Sequence, residues 1–257
     1  MLVPLAGGGQ ETLLSEVGFV LLPLFTTADA CALRLVCREF LAAVCEHPWE
    51  DRRTVIMGSI AAWRACFPHV RCANVCKEDV NSDDKMRTAP VVNADFVHFE
   101  GLRELYMAGC KDVTDAAFVH LRGIHTLDMS FCSQPTITDA AFAHLRGIQK
   151  LNISGCGQLT DAAFVHLRVI HTLYMWSCDQ PAITDAAFVH LRGIHTLVMN
   201  GCRQATITGA SFSSLLSIHA LVMCDCSDEQ YVAAYSLGLP VILRVDFLFE
   251  RISAPTY

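Results

Sequence analysis

Thiols and imidazoles are the groups in this chain best equipped for chemistry, with 13 cysteines and 11 histidines in 257 residues. Such a set can supply thiolate nucleophiles, Cys–His catalytic pairs or mixed zinc sites. Their positions decide among these. Six cysteines (Cys110, Cys132, Cys156, Cys178, Cys202 and Cys226) follow at intervals of 22, 24, 22, 24 and 24 residues. Each closes the phrase Leu-x-Met-x-x-Cys, with Ile replacing Met once. Five histidines (His98, His120, His144, His166, His190) recur at one offset and four more (His125, His171, His195, His219) at another. Catalysis needs one unique constellation. Zinc needs a closed ligand set, usually with Cys-x-x-Cys or His-x-x-x-His spacing, which this sequence lacks. Groups that return with every copy of a repeat read as scaffold, so no catalytic residue, metal or other cofactor is expected.

The element that carries these groups is the repeat itself. Its period and its Leu-x-Met-x-x-Cys phrase are those of a leucine-rich-repeat solenoid, an α/β fold with a short strand and a helix per copy. The helical half reads Thr-Asp-Ala-Ala-Phe-Val-His-Leu-Arg-Gly-Ile-His-Thr-Leu, and Asp115 to Leu127 is identical to Asp185 to Leu197. The Thr-Asp steps at 114–115, 138–139, 160–161 and 184–185 provide an N-cap oxygen and a negative charge for a helix start. About two helical turns are expected to follow, with Phe118, Leu121 and their equivalents inward. Gly123, Gly147 and Gly193 then end the turn where a left-handed residue is needed. Leu-x-Met makes a strand whose alternate residues enter the core. The cysteine is read as a small buried group that gives its weak S–H donor to backbone. No copy can bury its apolar face alone, so neighbours must stack.

The array is expected over 91–245 with its C-terminal cap, where 231–245 reads as a closing helix and a last strand. A flexible 1–11, a helical module over 12–51, a connecting segment over 52–90 and a tail over 246–257 complete the chain. Within the connector, Phe67-x-x-Val70-x-Cys72 reads as a possible imperfect strand, and Lys77 to Arg87 as a charged loop.

Composition narrows the function classes. A net charge of −7 opposes binding to nucleic-acid phosphates. Arg122, Arg146, Arg168 and Arg192 form a stripe, but Asp115, Asp139, Asp161 and Asp185 offset it. No run of about 18 apolar residues suggests a membrane span, and no signal peptide is expected. Thiols repeated along a ladder indicate a reduced, cytoplasmic or nuclear chain. Gly7-Gly8-Gly9 lacks the Lys-Ser/Thr of a phosphate loop.

Residues 13–51 do not share the repeat. Leu14, Val17, Leu21 and Leu24 fall at helical spacing. Asp29 is expected to open a second helix with Leu33, Val36, Cys37, Phe40, Ala43 and Val44 on one stripe, stopped by Pro48. A piece this small buries too little to stand alone. On Leu35-Val36-Cys37-Arg38-Glu39-Phe40, Ala43-Val44 and His47-Pro48-Trp49, the segment resembles an F-box. The repeats resemble the cysteine-containing class of F-box/leucine-rich-repeat proteins. That resemblance implies an F-box docked on a Skp-type adaptor of a cullin-RING ubiquitin ligase, with the repeats holding the target. It assigns Leu13, Leu14, Val17, Leu21, Leu33, Val36, Cys37, Phe40 and Trp49 to the adaptor face. Leu13-Leu14 stands where the family has Leu-Pro, and the repeats are shorter than the family's common length.

If the strands line a concave face, the residues flanking each inward Leu and Met point to a partner. These positions vary between otherwise near-identical copies, as a target site would. Tyr106, Asp128, Phe131, Asn152, Tyr174, Trp176 and Asn200 are the candidates, with the aromatic ones the natural anchors. A solenoid whose first helices only cap the array, and which binds or blocks a partner without any ligase, is the alternative reading.

Overall fold

The computed structural model describes residues 21–76 and 89–243. Leu13, Leu14 and Val17, the 77–87 stretch and the 246–257 tail lie outside the described residues.

Eight parallel strands stand side by side in chain order: β1 (Cys72–Asn74), β2 (Glu104–Tyr106), β3 (Thr126–Asp128), β4 (Lys150–Asn152), β5 (Thr172–Tyr174), β6 (Thr196–Val198), β7 (Ala220–Val222) and β8 (Val241–Ile242). The register never slips. Ala73, Leu105, Leu127, Leu151, Leu173, Leu197 and Leu221 form one row across the sheet. All are buried, as are the Met and Ile residues that follow two positions on. The sheet begins at β1, inside the segment read as an imperfect strand, rather than near residue 91. It ends at β8, after a closing helix at Asp228–Ser236.

The opposite side is made by Asn93–Phe99, Asp115–Leu121, Asp139–His144 and Phe212–Leu215 as 3-10 turns, and by Asp161–Phe164 and Asp185–Phe188 as single α-turns. In place of two α-helical turns the copies thus make tighter 3-10 turns or single α-turns. A repeat of 22 or 24 residues leaves too little chain for a longer helix between strand and strand. Phe96, Phe118, Phe142, Phe164, Phe188 and Phe212 point from these turns into the core, one per copy, and all are fully buried. Each such ring contributes roughly 1.5–3 kcal/mol over an exposed one.

Three side-chain ladders join copy to copy. The repeat thiols donate backward to the strand-end carbonyl of the preceding copy: Cys132 to Met107 (3.4 Å), Cys156 to Met129 (3.2 Å), Cys178 to Ile153 (3.3 Å) and Cys202 to Met175 (3.0 Å). Two residues further on, Gln134, Gln158, Gln180 and Gln204 donate their Nε2 to the carbonyls of Cys110, Cys132, Cys156 and Cys178. On the helical side, Thr138, Thr160 and Thr184 each give backbone N–H and Oγ1–H to the carboxylate of Asp115, Asp139 or Asp161 one copy earlier. The same threonine oxygen accepts from Ala140, Ala162 or Ala186 at its own helix start. The aspartate thus does more than face a helix dipole: it clasps the next repeat.

Three short helices precede the array: α1 (Thr27–Leu33), α2 (Arg38–Glu46) and α3 (Ile60–Cys66). The single helix expected from Asp29 to Pro48 is broken. Thr26 and Asp29 close a capping box on α1, so Asp29 sits inside the first turn. Leu35 and Val36 then tighten the chain, and Cys37 caps α2 with its sulfur toward the Phe40 N–H. The break turns α2 back across α1, which lets Ala30 and Val44 both reach the core.

Candidate interaction surfaces

The helical module has one buried and one apolar, solvent-facing side. Leu22, Ala30, Val44 and Trp49 belong to the same continuous core as the repeats. Asp51 fastens α1 to the connector by accepting from the Thr27 N–H (2.7 Å) and hydroxyl (2.9 Å). Burial opposes the Asp51 charge, but the bonds from Thr27, Thr54 and Arg53 outweigh it and hold its carboxyl below the ordinary range. Arg52 then reaches β2 and grips Glu104 with two bonds of 2.6 Å.

On the other side, Leu24 is 77% exposed, Leu35 79% and Val36 67%. Leu21, Phe25 and Leu41 are exposed beside them in sequence. Of the residues assigned to an adaptor, Leu21 and Val36 are exposed, and Leu33, Cys37 and Phe40 are half-buried. Trp49 is a correction. It is 1% exposed, its Nε1 donates to the Val44 carbonyl at 2.8 Å, and its ring meets Phe67 edge-on at 5.8 Å. An indole locked there packs the module against the array and has no face for a partner. Leu24, Leu35 and Leu41 are exposed positions that the motif match did not assign.

The outward positions of the sheet divide the same way. Tyr106 and Asp128 are buried, which corrects their placement among accessible target contacts. Tyr106 lies against Cys72, with Tyr174 and Cys76 packed around that pair, and donates its hydroxyl to Glu104 (2.9 Å). Burial first, then the Glu104 charge, pushes the phenol well up. Glu104 moves the other way, because its bonds from Arg52 and Tyr106 overcome the penalty of burial. Asp128 accepts from the Ser130 N–H (2.9 Å) and hydroxyl (2.7 Å). Burial raises its pKa, although those bonds and one from Asn152 pull against the rise. Asn74 and Asn152, at the same register position, accept identically from Cys76 and Ser154. A neutral amide does this task in two copies, and a carboxylate in one.

What remains accessible is Phe131, Tyr174, Trp176, Asn152 and Asn200. The last four are half-buried, while Phe131 is 51% exposed. Phe131 is not on a strand. It occupies the left-handed turn before Cys132 at φ 58°, where other copies place Gly109, Gly155 and Gly201. Its ring lies over Gly155, where an added Cβ would stand 2.8 Å from a ring carbon. No reading of side-chain alternation reveals that turn; the Gly at the matching position of three sister copies does.

Several repeat histidines bond or stack along the array. The Nδ1 atoms of His125, His171 and His195 lie 3.1–3.3 Å from the hydroxyl of the following threonine. The His171, His195 and His219 rings stack at 4.5 and 4.1 Å. Arg122 and Arg146 donate to Nδ1 of His144 and His166. Among the described residues, no group of three or more His, Cys, Asp or Glu is arranged to hold a metal ion. No helix there is long and apolar enough to cross a membrane.

No family model matches the chain, and no curated protein sequence does. Solved structures do match. A TLR13–ssRNA13 complex superposes with a TM-score of 0.52 at 18% identity, over 72% of this chain and 26% of that one. The yeast Rad7–Elc1 complex gives 0.47 at 19% identity, over 60% of this chain and 44% of that one. The chain thus spans less than half the length of either. Repeat phrase, parallel ladder and structural likeness agree: the fold is a leucine-rich-repeat solenoid with a small helical module in front.

Proposed function

We propose that this protein is a non-catalytic substrate-recognition subunit of a Skp–cullin–F-box type ubiquitin ligase, cytoplasmic or nuclear. The helical module would dock on the Skp-type adaptor, and the strand-side surface of the repeats would hold the protein to be modified. The observation that carries this reading is the unpartnered apolar surface at the α1–α2 break. Leu35 and Val36 are more than half exposed there, although the same module places Ala30, Val44 and Trp49 in the core. Phe131, Tyr174 and Trp176 support the target-holding half, as aromatic anchors amid neutral polar groups.

The test is capture of purified Skp adaptor by the full chain and by a Leu35→Asp/Val36→Asp variant. Both positions are exposed, so the variant keeps its melting temperature while binding falls by roughly 2 kcal/mol or more, about 30-fold. Absence of binding by the native chain at micromolar concentrations sinks the ligase reading. It would leave the second one, which the burial of Trp49 and Val44 favours: a partner-holding solenoid whose first helices serve only as its cap.

A further inference from the structure

Seven of the thirteen cysteines stand outside the repeat ladder, and three of them meet at one place. Cys31 on α1, Cys45 on α2 and Cys66 at the end of α3 surround the guanidinium of Arg34. Arg34 donates to the Cys66 sulfur, and all three thiols act on its charge. Cys45 Sγ lies 3.6 Å from the Cys66 carbonyl oxygen, so the two residues touch. Cys45 and Cys66 are half-buried, and Cys31 is exposed. The repeat thiols are in the opposite situation. Five of them are buried and Cys226 is half-buried, they give their protons to carbonyls, and burial pushes Cys132 and Cys178 up to about 12. One chain therefore holds two chemical populations of thiol. Those of the array are sealed within it, and Cys31, Cys45 and Cys66 of the module are at least partly open to small solutes and gathered on a fixed cation. Thiols react as nucleophiles in such partially exposed, electropositive surroundings.

We propose that Arg34, Cys45 and Cys66 form an oxidation site for hydroperoxides, in which Cys66 reacts first and Cys45 resolves it. The Cys66 thiolate attacks the terminal oxygen of the hydroperoxide. The O–O bond breaks, and water or an alcohol leaves after taking up a proton, so Cys66 becomes a sulfenic acid. The Cys45 thiol, giving up its proton, then attacks the Cys66 sulfur and expels water. The pair loses two hydrogens to the peroxide and becomes a disulfide that staples α2 to the end of α3. A thiol reductant reverses the reaction. Nothing in this proposal depends on adaptor binding.

The experiment treats the full native chain with hydrogen peroxide, blocks the remaining thiols and maps them by tryptic mass spectrometry. Cleavage after Arg34, Arg38, Arg52, Arg64 and Arg71 puts Cys31, Cys37, Cys45 and Cys66 on separate peptides. The expected product joins the 39–52 peptide to the 65–71 peptide, while the six repeat thiols stay reduced. In Cys45→Ser, a sulfenic acid at Cys66 accumulates and is trapped by dimedone. Arg34→Ala slows the reaction of Cys66 about tenfold, and Arg34→Lys, which keeps the cation, restores part of the rate. Melting temperatures of the variants show whether the module is intact. Oxidation of Cys66 no faster than that of Cys31 or Cys37, a bond other than Cys45–Cys66, or equal rates in a folded Arg34→Ala each overturn the proposal.

Discussion

Two residues are held in places their chemistry does not favour. Phe131 takes a left-handed backbone that costs a non-glycine residue roughly 1–2 kcal/mol. Phe131→Gly is accordingly expected to raise stability by about 1 kcal/mol in urea denaturation, since the lost ring is half in solvent. Gly155→Ala should destabilise by about 2 kcal/mol, because a Cβ there meets both a positive φ and the Phe131 ring. The same change in a Phe131→Gly background should cost measurably less, a coupling that a double-mutant cycle reads directly. Asp128 is the second. Its folded-state pKa is raised by burial, so the native state binds the proton more tightly than the unfolded chain. Stability therefore falls as pH rises from the unfolded value through the folded one. Asp128→Asn should melt higher than the native chain at neutral pH, and the difference should shrink as the solution is made acid enough to protonate the aspartate. Equal melting temperatures at pH 7 would refute this. The turn at Phe131 was legible only through the glycines at the matching position of sister copies, and the burial of Asp128 was not legible at all. Alternation placed Tyr106 and Asp128 on the outer face correctly, but accessibility there depends on their neighbours, Cys72 and Tyr174 around Tyr106 and Ser130 and Asn152 around Asp128.

Elements were legible where they repeat and obscure where they do not. Six copies of the strand phrase and four of the Thr-Asp step define strand, turn and N-cap together, because stacking imposes the same demand on each. The helical module offers a single copy, and an apolar stripe from Leu33 to Val44 reads as one helix although the chain breaks at Val36–Cys37. Only the need to bring Ala30 and Val44 to one core distinguishes the two. The clasp between copies was half visible: Thr-Asp marks a helix start, but the carboxylate's bond to the next threonine crosses a gap that local reasoning does not span. Asp139→Ala tests its weight. Removing the acceptor of both the Thr160 N–H and the Thr160 hydroxyl should cost about 1–3 kcal/mol. Gln158→Ala, which strands the Cys132 carbonyl, should cost about 1–2 kcal/mol by the same measurement.

At the scale of the whole molecule, one core runs from Leu22 to Leu239, so module and array stand or fall together. Trp49→Ala is expected to lower stability by roughly 3–5 kcal/mol and to broaden or shift the melting of the entire chain. A separate early transition for the module would contradict that continuity. The ladders add a direction to this single body. Their thiol, glutamine and threonine donors always belong to the later copy, and their acceptors to the earlier one. A copy leaving the ribosome thus finds the acceptors of these side-chain donors already fixed in place, while strand amides such as the Met129 and Phe131 N–H groups await the Asn152 and Ser154 carbonyls of the next copy. Shortened chains inherit the asymmetry. A fragment ending after a complete copy leaves the carbonyls and carboxylates of these side-chain ladders to water, together with strand N–H groups whose acceptors lie in the missing copy. A fragment beginning at the same boundary starts with buried thiol and amide donors that have lost their acceptors. In its side-chain ladders, though not in its backbone ladder, the array is easier to cut back from its C-terminal end than from its N-terminal end.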